Sequence, residues 1–545
     1  MNKWIEFLKK YIFGILIILF SLIFSSWLMF STFSYKDSDM LIAGKAWSDF
    51  GSHIPLIRSF SLGDNFPPQY PLFSDAPIKY HFLFYALTGV LEKAGLRIDF
   101  ALNVPSIFGF SFLIIMIYVF AKKIFKSAAV GILSVILFLF NGSLSFLNFF
   151  SKHPLSINSF NEVLTNQTFP SFGPYDHTST VSAFWNLNIY TNQRHLAISY
   201  GLSLFIIYLF LNLKDGKRKE NLLKAVLIGI IFGISFFLNM AVFLMTIVIL
   251  FCLFLFLKKQ RIYIFITLST ALIFALPSYF YINKVPSVFS ITTHFGYLVE
   301  KLNIQSFLSY WFQNLGLHTI LILISLIIAT KFQRKVFLSF FVLFIIGNLI
   351  QFSPEISANH KFFNYFMIIG VMFSSYFLVY LWNKRNILKP FVMVLIFFLT
   401  LSGIIDFFPI LNDGKIALAD YKKDKDIEWI VKNTPKNSIF LNTDYFMDKA
   451  NIAGRKIFLG WPYFAWSQGY DTNSRDIIRK EMLNSKILND FCTESRNYKL
   501  DFLETNVLNK YDFPINYDLF KNNLKLLYSS DDKSYAIYDI KKSCR

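Results

Sequence analysis

Charge is scarce in this chain, and acid is scarcer than base. Only 16% of the 545 residues are charged, with 34 Asp and Glu against 53 Lys and Arg. A soluble domain carries about 25% charged residues. With 54% hydrophobic residues and a mean hydropathy of +0.47, this composition is that of a polytopic membrane protein. The net charge of +19 does not mark a nucleic-acid binder. The basic residues fall in short clusters between apolar runs, a topology signal rather than a groove for phosphates, and no nucleic-acid partner is expected. Three cysteines exclude a disulfide-rich scaffold and a cysteine-based metal site. Cys252 lies inside an apolar run, whereas Cys492 and Cys544 lie in a polar tail and are free to pair if that tail is extracytoplasmic.

A bilayer core takes about 20 apolar residues per helix. On that criterion the sequence predicts about eleven spans, at 11–30, 102–120, 128–149, 196–212, 222–238, 240–257, 262–282, 316–330, 336–352, 362–381 and 391–408. The run 222–257 is too long for one crossing and is divided at Asn239. With the N-terminus in the cytoplasm, alternate loops carry Lys122, Lys123 and Lys126; Lys214, Lys217, Arg218, Lys219 and Lys224; Lys258, Lys259 and Arg261; Lys331, Arg334 and Lys335; and Lys384, Arg385 and Lys389. That is the positive-inside pattern, and an odd span count places the tail outside. The fold class expected is mainly α, a helical membrane bundle over 1–409 with a small extracytoplasmic α/β domain over 410–545. In the tail, SIFLN, KIFLG and KSYAIYDI alternate as strands with DKDIEWIVKN and RDIIRKEMLN as helices.

Ionisable residues are essentially missing from the central parts of the spans, which argues against an ion-coupled carrier. Histidine is missing from the basic loops. All eight (His53, His81, His153, His177, His195, His294, His318 and His360) fall in the opposite set, which includes a long first external loop, 31–101. Longer loops collect more of every residue type, but the bias also points to a polar site on that side, where imidazole suits proton transfer.

The densest cluster is FSYKDSDMLIAGKAWSDFGSHIPLIR, residues 33–58. It offers Asp37, Asp39 and Asp49 as carboxylates. Asp49 and His53 stand four apart and share a helix face, while Pro55 is expected to end or bend that helix before Arg58. Lys79 and His81 follow beside an aromatic run. Arg194 and His195 mark the mouth of the fourth span, with Asp176 and His177 upstream, and Glu355, His360 and Lys361 mark that of the tenth. A carboxylate here suits a general base, and Arg58, Lys79, Arg194 and Lys361 suit a phosphate leaving group. Ordinary surface pairing and interfacial anchoring account for any one of these residues taken singly. Asp39, Asp49, His53 and Asp176 would suit a divalent cation, although no metal-motif spacing joins them. In the tail, Arg455, Trp461 and Trp466 sit in a Gly- and aromatic-rich stretch, AGRKIFLGWPYFAWSQGYD, that fits a sugar ring, a membrane-docking surface or a small packed core.

This arrangement resembles the GT-C superfamily of integral membrane glycosyltransferases, which use polyprenyl- or dolichyl-phosphate sugars. WSDFGSH, NQRH, NHKFFNY and the tail stretch carry the likeness. The resemblance implies a lipid-linked sugar donor, inversion at the anomeric centre and a catalytic Asp from the first external loop, which maps onto Asp39 or Asp49. The adjacent Asp-Glu pair of the protein mannosyltransferases is absent, and so is a WWDYG-type motif, which argues against oligosaccharyltransferase activity. The expected function is therefore sugar transfer on the outer face, with Asp39, Asp49 and His53 catalytic and Asp37, Arg58, Lys79, His81, Arg194, His195, His360 and Lys361 binding substrate. The rivals are a lipid-linked glycan transporter, another transferase or ligase acting on such glycans, and a structural membrane protein whose tail binds glycans. No sequence feature selects the sugar, acceptor, lipid carrier or oligomeric state.

Overall fold

The computed structural model describes residues 2–173, 176, 178–213 and 217–544, with side chains described from Ile12 onward. Every one of the eleven apolar segments is helical, but they differ in reach. Among the described residues eight helices are long and apolar enough to cross a membrane: Ile12–Thr32, Ile98–Phe125, Arg194–Leu211, Arg218–Phe237, Lys258–Ile282, Lys331–Leu349, Ile356–Lys384 and Asn386–Leu411. A ninth candidate is a pair, Ile304–Leu315 and His318–Ile328, bent by 89°. Ala128–Leu139 and Met240–Phe256 are apolar but shorter.

Two local causes explain the departures from the predicted lengths. The 128–149 segment stops at Leu139 because Asn141-Gly142-Ser143 breaks the helix, which resumes only at Ser145. At that break the backbone is pressed against the last span. A Cβ on Gly142 would lie 2.2 Å from the Leu399 carbonyl oxygen, and one on Gly403 would lie 2.3 Å from the Phe140 backbone. The division at Asn239 is a helix cap, its side chain accepting from the Val242 N–H at 3.0 Å.

The basic loops meet at one end of the bundle. Lys123 donates to Asn212 at 2.5 Å, Gln333 to the Ile124 carbonyl at 3.2 Å and Lys335 to the Phe256 carbonyl at 3.3 Å. The first long loop and the tail assemble at the other end. The strands Phe33–Lys36, Asp39–Ala43 and Lys415–Ala419 form an antiparallel sheet in which Asp39 pairs with Ala419 and Ala43 with Lys415. A second, five-stranded sheet lies wholly in the tail, in the order Lys525–Ser529, Tyr535–Asp539, Phe502–Asn506, Ile439–Leu441, Lys456–Ile457. The predicted strand and helix runs of the tail fall on these strands and on the helices Lys425–Asn433 and Thr472–Leu483.

The apolar side chains divide into two cores. One fills the bundle, and the other joins the first loop (Phe33, Met40, Phe50, Ile54, Tyr85) to the tail (Ile427, Phe440, Ile457, Leu503, Ile537). Cys492 and Cys544 form a disulfide within the tail.

Candidate active site

The helix Trp47–Ser61 positions the first functional side chains. It runs through Pro55 without breaking, since one missing N–H is outweighed by a helix with ten buried residues. Asp49 and His53 therefore emerge on one face, one turn apart, with Lys45 one turn earlier. All three line a cavity of about 740 Å³ at the end of the bundle that carries the tail. Lys79, Tyr80 and His81 line it too, as do Asn188, Asn192 and Gln193 from the stretch before the Arg194–Leu211 helix, and Glu355, His360 and Lys361 from the start of the tenth apolar segment. Apolar groups complete it, among them Phe184, Met240, Leu244, Phe289 and Phe352.

Asp49 is the carboxylate with unspent capacity. Burial pushes its pKa up to about 6, against the opposing pull of the Lys361 charge and a hydrogen bond from Asn192. Asp49 and Lys361 feel one another's charge without closing to an ion pair. Burial pushes His53 down to about 3, with the Arg194 charge adding to it, and pushes His81 well below its ordinary value. His81 Nε2 lies 2.6 Å from His195 Nε2, and His195 Nδ1 lies 2.9 Å from the Tyr85 hydroxyl. His195 thus stands behind the wall, holding His81. Lys79 donates to the carbonyls of Pro286 at 2.8 Å and Gly469 at 3.1 Å and lies over the Tyr470 ring, so it ties loop to tail at the cavity edge.

Several expected site residues lie elsewhere. Asp39 is in a strand and pairs with Lys423 at 2.6 Å, and Asp37 is exposed in the hairpin turn before it. Arg58 is fully buried between Asp420 at 2.8 Å and Glu92 at 3.2 Å. Arg194 is buried and spends its guanidinium on Thr191, Asn103 and Thr32, joining three helical segments. Arg455 is enclosed by backbone carbonyls, including those of Leu62, Ile430 and Thr434. Trp461 and Trp466 are partly exposed outside the cavity, to which Tyr463 and Phe464 contribute instead. His177 lies outside the described residues.

The four residues named for a divalent cation do not gather. Asp39 is held by Lys423, and Asp176 hydrogen-bonds Thr178 and the Phe172 N–H, leaving only Asp49 and His53 on the cavity. Among the described residues no group of three or more His, Cys, Asp or Glu side chains is placed to hold a metal ion.

Sequence reasoning missed Lys45, Asn192 and Tyr80. The 45-49-53 spacing was a usable signal for the first, and NQRH already contained the second. Nothing in the local sequence marks Tyr80 apart from the aromatic residues around it.

The sequence matches no family model and no curated protein. Among solved structures, the chain is similar to the Archaeoglobus fulgidus oligosaccharyltransferase in its apo form. The TM-score is 0.52 at 10% identity, over 90% of this chain and 69% of that one. It is also similar to ArnT from Cupriavidus metallidurans in the apo state, with TM-score 0.49 and 10% identity over 97% of this chain and 98% of that one. The fold is that of a GT-C membrane protein, as the resemblance implied. The chain is accordingly a multi-pass membrane protein of that architecture.

Proposed function

We propose that this protein transfers a sugar from a polyprenyl-phosphate-linked donor to an acceptor hydroxyl at the outer boundary of the membrane. The observation that carries this reading is a half-buried Asp49, with no ion-pair partner among the described residues, sharing one cavity with Lys361, His360 and Lys79 on a GT-C-type scaffold. Asp49 takes the acceptor proton as the acceptor oxygen attacks the anomeric carbon. The bond from that carbon to the phosphate oxygen breaks, and the lipid phosphate leaves with the electron pair. Lys361 stabilises the leaving charge, the part that the sequence pattern offered to Arg58, Lys79, Arg194 and Lys361 together. A single displacement of this kind inverts the anomeric centre. The disulfide and the convergence of the basic loops at the opposite end support an extracytoplasmic tail.

The test is transfer from a short-chain polyprenyl-phosphate hexose to candidate glycan and peptide acceptors by the purified full-length protein. Product formation that depends on Asp49 supports the reading. Unchanged product from a stably expressed D39N/D49N double variant sinks it.

A further inference from the structure

His53 has hydrogen-bonding capacity that the protein itself does not use. It is 2% exposed, and its Nδ1 is buried with no hydrogen-bond partner among the described residues. An unpaired buried polar atom costs about 1–3 kcal/mol, so its retention on a cavity wall calls for a ligand. The ring is fixed by its neighbours, stacked on Tyr85 with centroids 4.5 Å apart and flanked by Phe50 at 6.0 Å. Beside it on the same lining, Tyr80 and His81 stand with ring centroids 3.7 Å apart. His81 is braced from behind by His195, and His195 by Tyr85. Gln193 adds a second lining group whose buried oxygen has no partner among the described residues.

This wall differs in kind from the charged part of the lining, which is Lys45, Asp49, Lys79, Glu355 and Lys361. The charged groups that act on it are Asp49, Lys361 and, from behind, Arg194. Its own members carry no charge near neutral pH, because burial disfavours the imidazolium of His53 and His81. A phosphate has no reason to prefer it over Lys361 or Lys45. A polyhydroxylated ring does, because flat aromatic faces cover its C–H surface and fixed polar atoms take single hydroxyls. In the proposed displacement the anomeric carbon lies between the acceptor oxygen on Asp49 and the phosphate on Lys361. His53 is one turn from Asp49, so the wall borders the donor's ring whatever the acceptor.

We infer that Tyr80, His81 and His53, with Gln193, form the subsite for the glycosyl ring of the lipid-linked donor, His53 taking one ring hydroxyl. The inference rests on the transfer reading above and adds which part of the cavity reads the sugar.

The test measures binding of two probes to the full-length protein in nanodiscs: a short-chain polyprenyl phosphate, and the same lipid carrying one hexose. The hexosyl lipid is expected to bind about tenfold tighter than the bare phosphate, a hydrogen bond's worth of discrimination. H53L should erase that difference, H53N should keep part of it, and K361A should weaken both probes. If H53L fails to fold, a series of monodeoxy-hexosyl lipids replaces it, and one deoxy position should lose the gain with the wild-type protein. Equal binding of both probes, or a full gain retained in H53L, overturns the subsite while leaving the transfer reading standing. Failure of both probes to bind the wild-type protein overturns both.

Discussion

The Arg58 guanidinium places Nη2 at 2.8 Å from both carboxylate oxygens of Asp420, in a position with no solvent exposure. Its Nη1 reaches Glu92 at 3.2 Å. A residue from the first loop is thereby bound to the opening of the tail. Removing one partner of such a buried set leaves an uncompensated charge and costs roughly 3–5 kcal/mol. R58M should lower the thermal unfolding midpoint of the purified protein sharply. An R58M/E92Q/D420N triple variant should recover much of the loss. An unchanged midpoint in R58M would show that the two elements are held together without this contact.

Asp39 and Asp49, the two acids onto which the resemblance maps the base, should separate in their effects. D49N should reduce transfer by about 10²–10⁴-fold, the ordinary contribution of a positioned general base. D39N removes only the Lys423 pair, which is partly exposed, and should stay within a few-fold of wild type. Steady-state kinetics on the two single variants decides between them, and a larger loss in D39N would move the base away from the cavity.

The pH dependence follows from the position of Asp49. Its carboxyl is pushed up to about 6, and a base works only when deprotonated. The kcat/KM profile should therefore fall as pH drops through about 6 and level off above it. Lys361 opposes the upward push, so K361A should shift the acid limb towards higher pH as well as lowering the plateau. An acid limb that stays in place in K361A would mean that the lysine charge does not reach Asp49.

The Cys492–Cys544 disulfide closes a sequence separation of 52 residues. In the chain-entropy account a loop of that length contributes about 4 kcal/mol. Peptide mapping under non-reducing conditions should recover the linked pair, with Cys252 free. C492S/C544S should show earlier proteolysis of the tail with the bundle left intact.

Much of this was legible in the sequence, and the parts that were not share a cause. Apolar run length and the basic loops located the helices, and the tail's alternating strand and helix runs were local enough to read. Within WSDFGSHIPLIR the i, i+4 relation of Asp49 and His53 was equally local. Arg58 fails by the same geometry, since nine residues along a helix of 3.6 per turn set it half a turn from Asp49. Pro55 would have broken an isolated helix, but here the surrounding core holds it. Asp39 escaped a correct reading because its partners, Ala419 across the sheet and Lys423, come from the far end of the chain. The assignment of Arg194 failed for a related reason: its oxygen partners on Asn103 and Thr32 belong to other spans.

The core shared by the first loop and the tail sets an order on biogenesis. Residues 33–102 emerge early in translation, yet the strand Lys415–Ala419 that completes their sheet, and the Phe446 ring that lies against Gly51 and Trp47, are made only after the last span. The early segment must wait, half-formed, while the intervening spans are inserted. Tyr463 and Phe464, which line the pocket holding Asp49, also come from the tail, so the lining is complete only once the tail has been made. A chain truncated before that point should therefore carry an incomplete pocket, with the side chains of the tail missing from its lining.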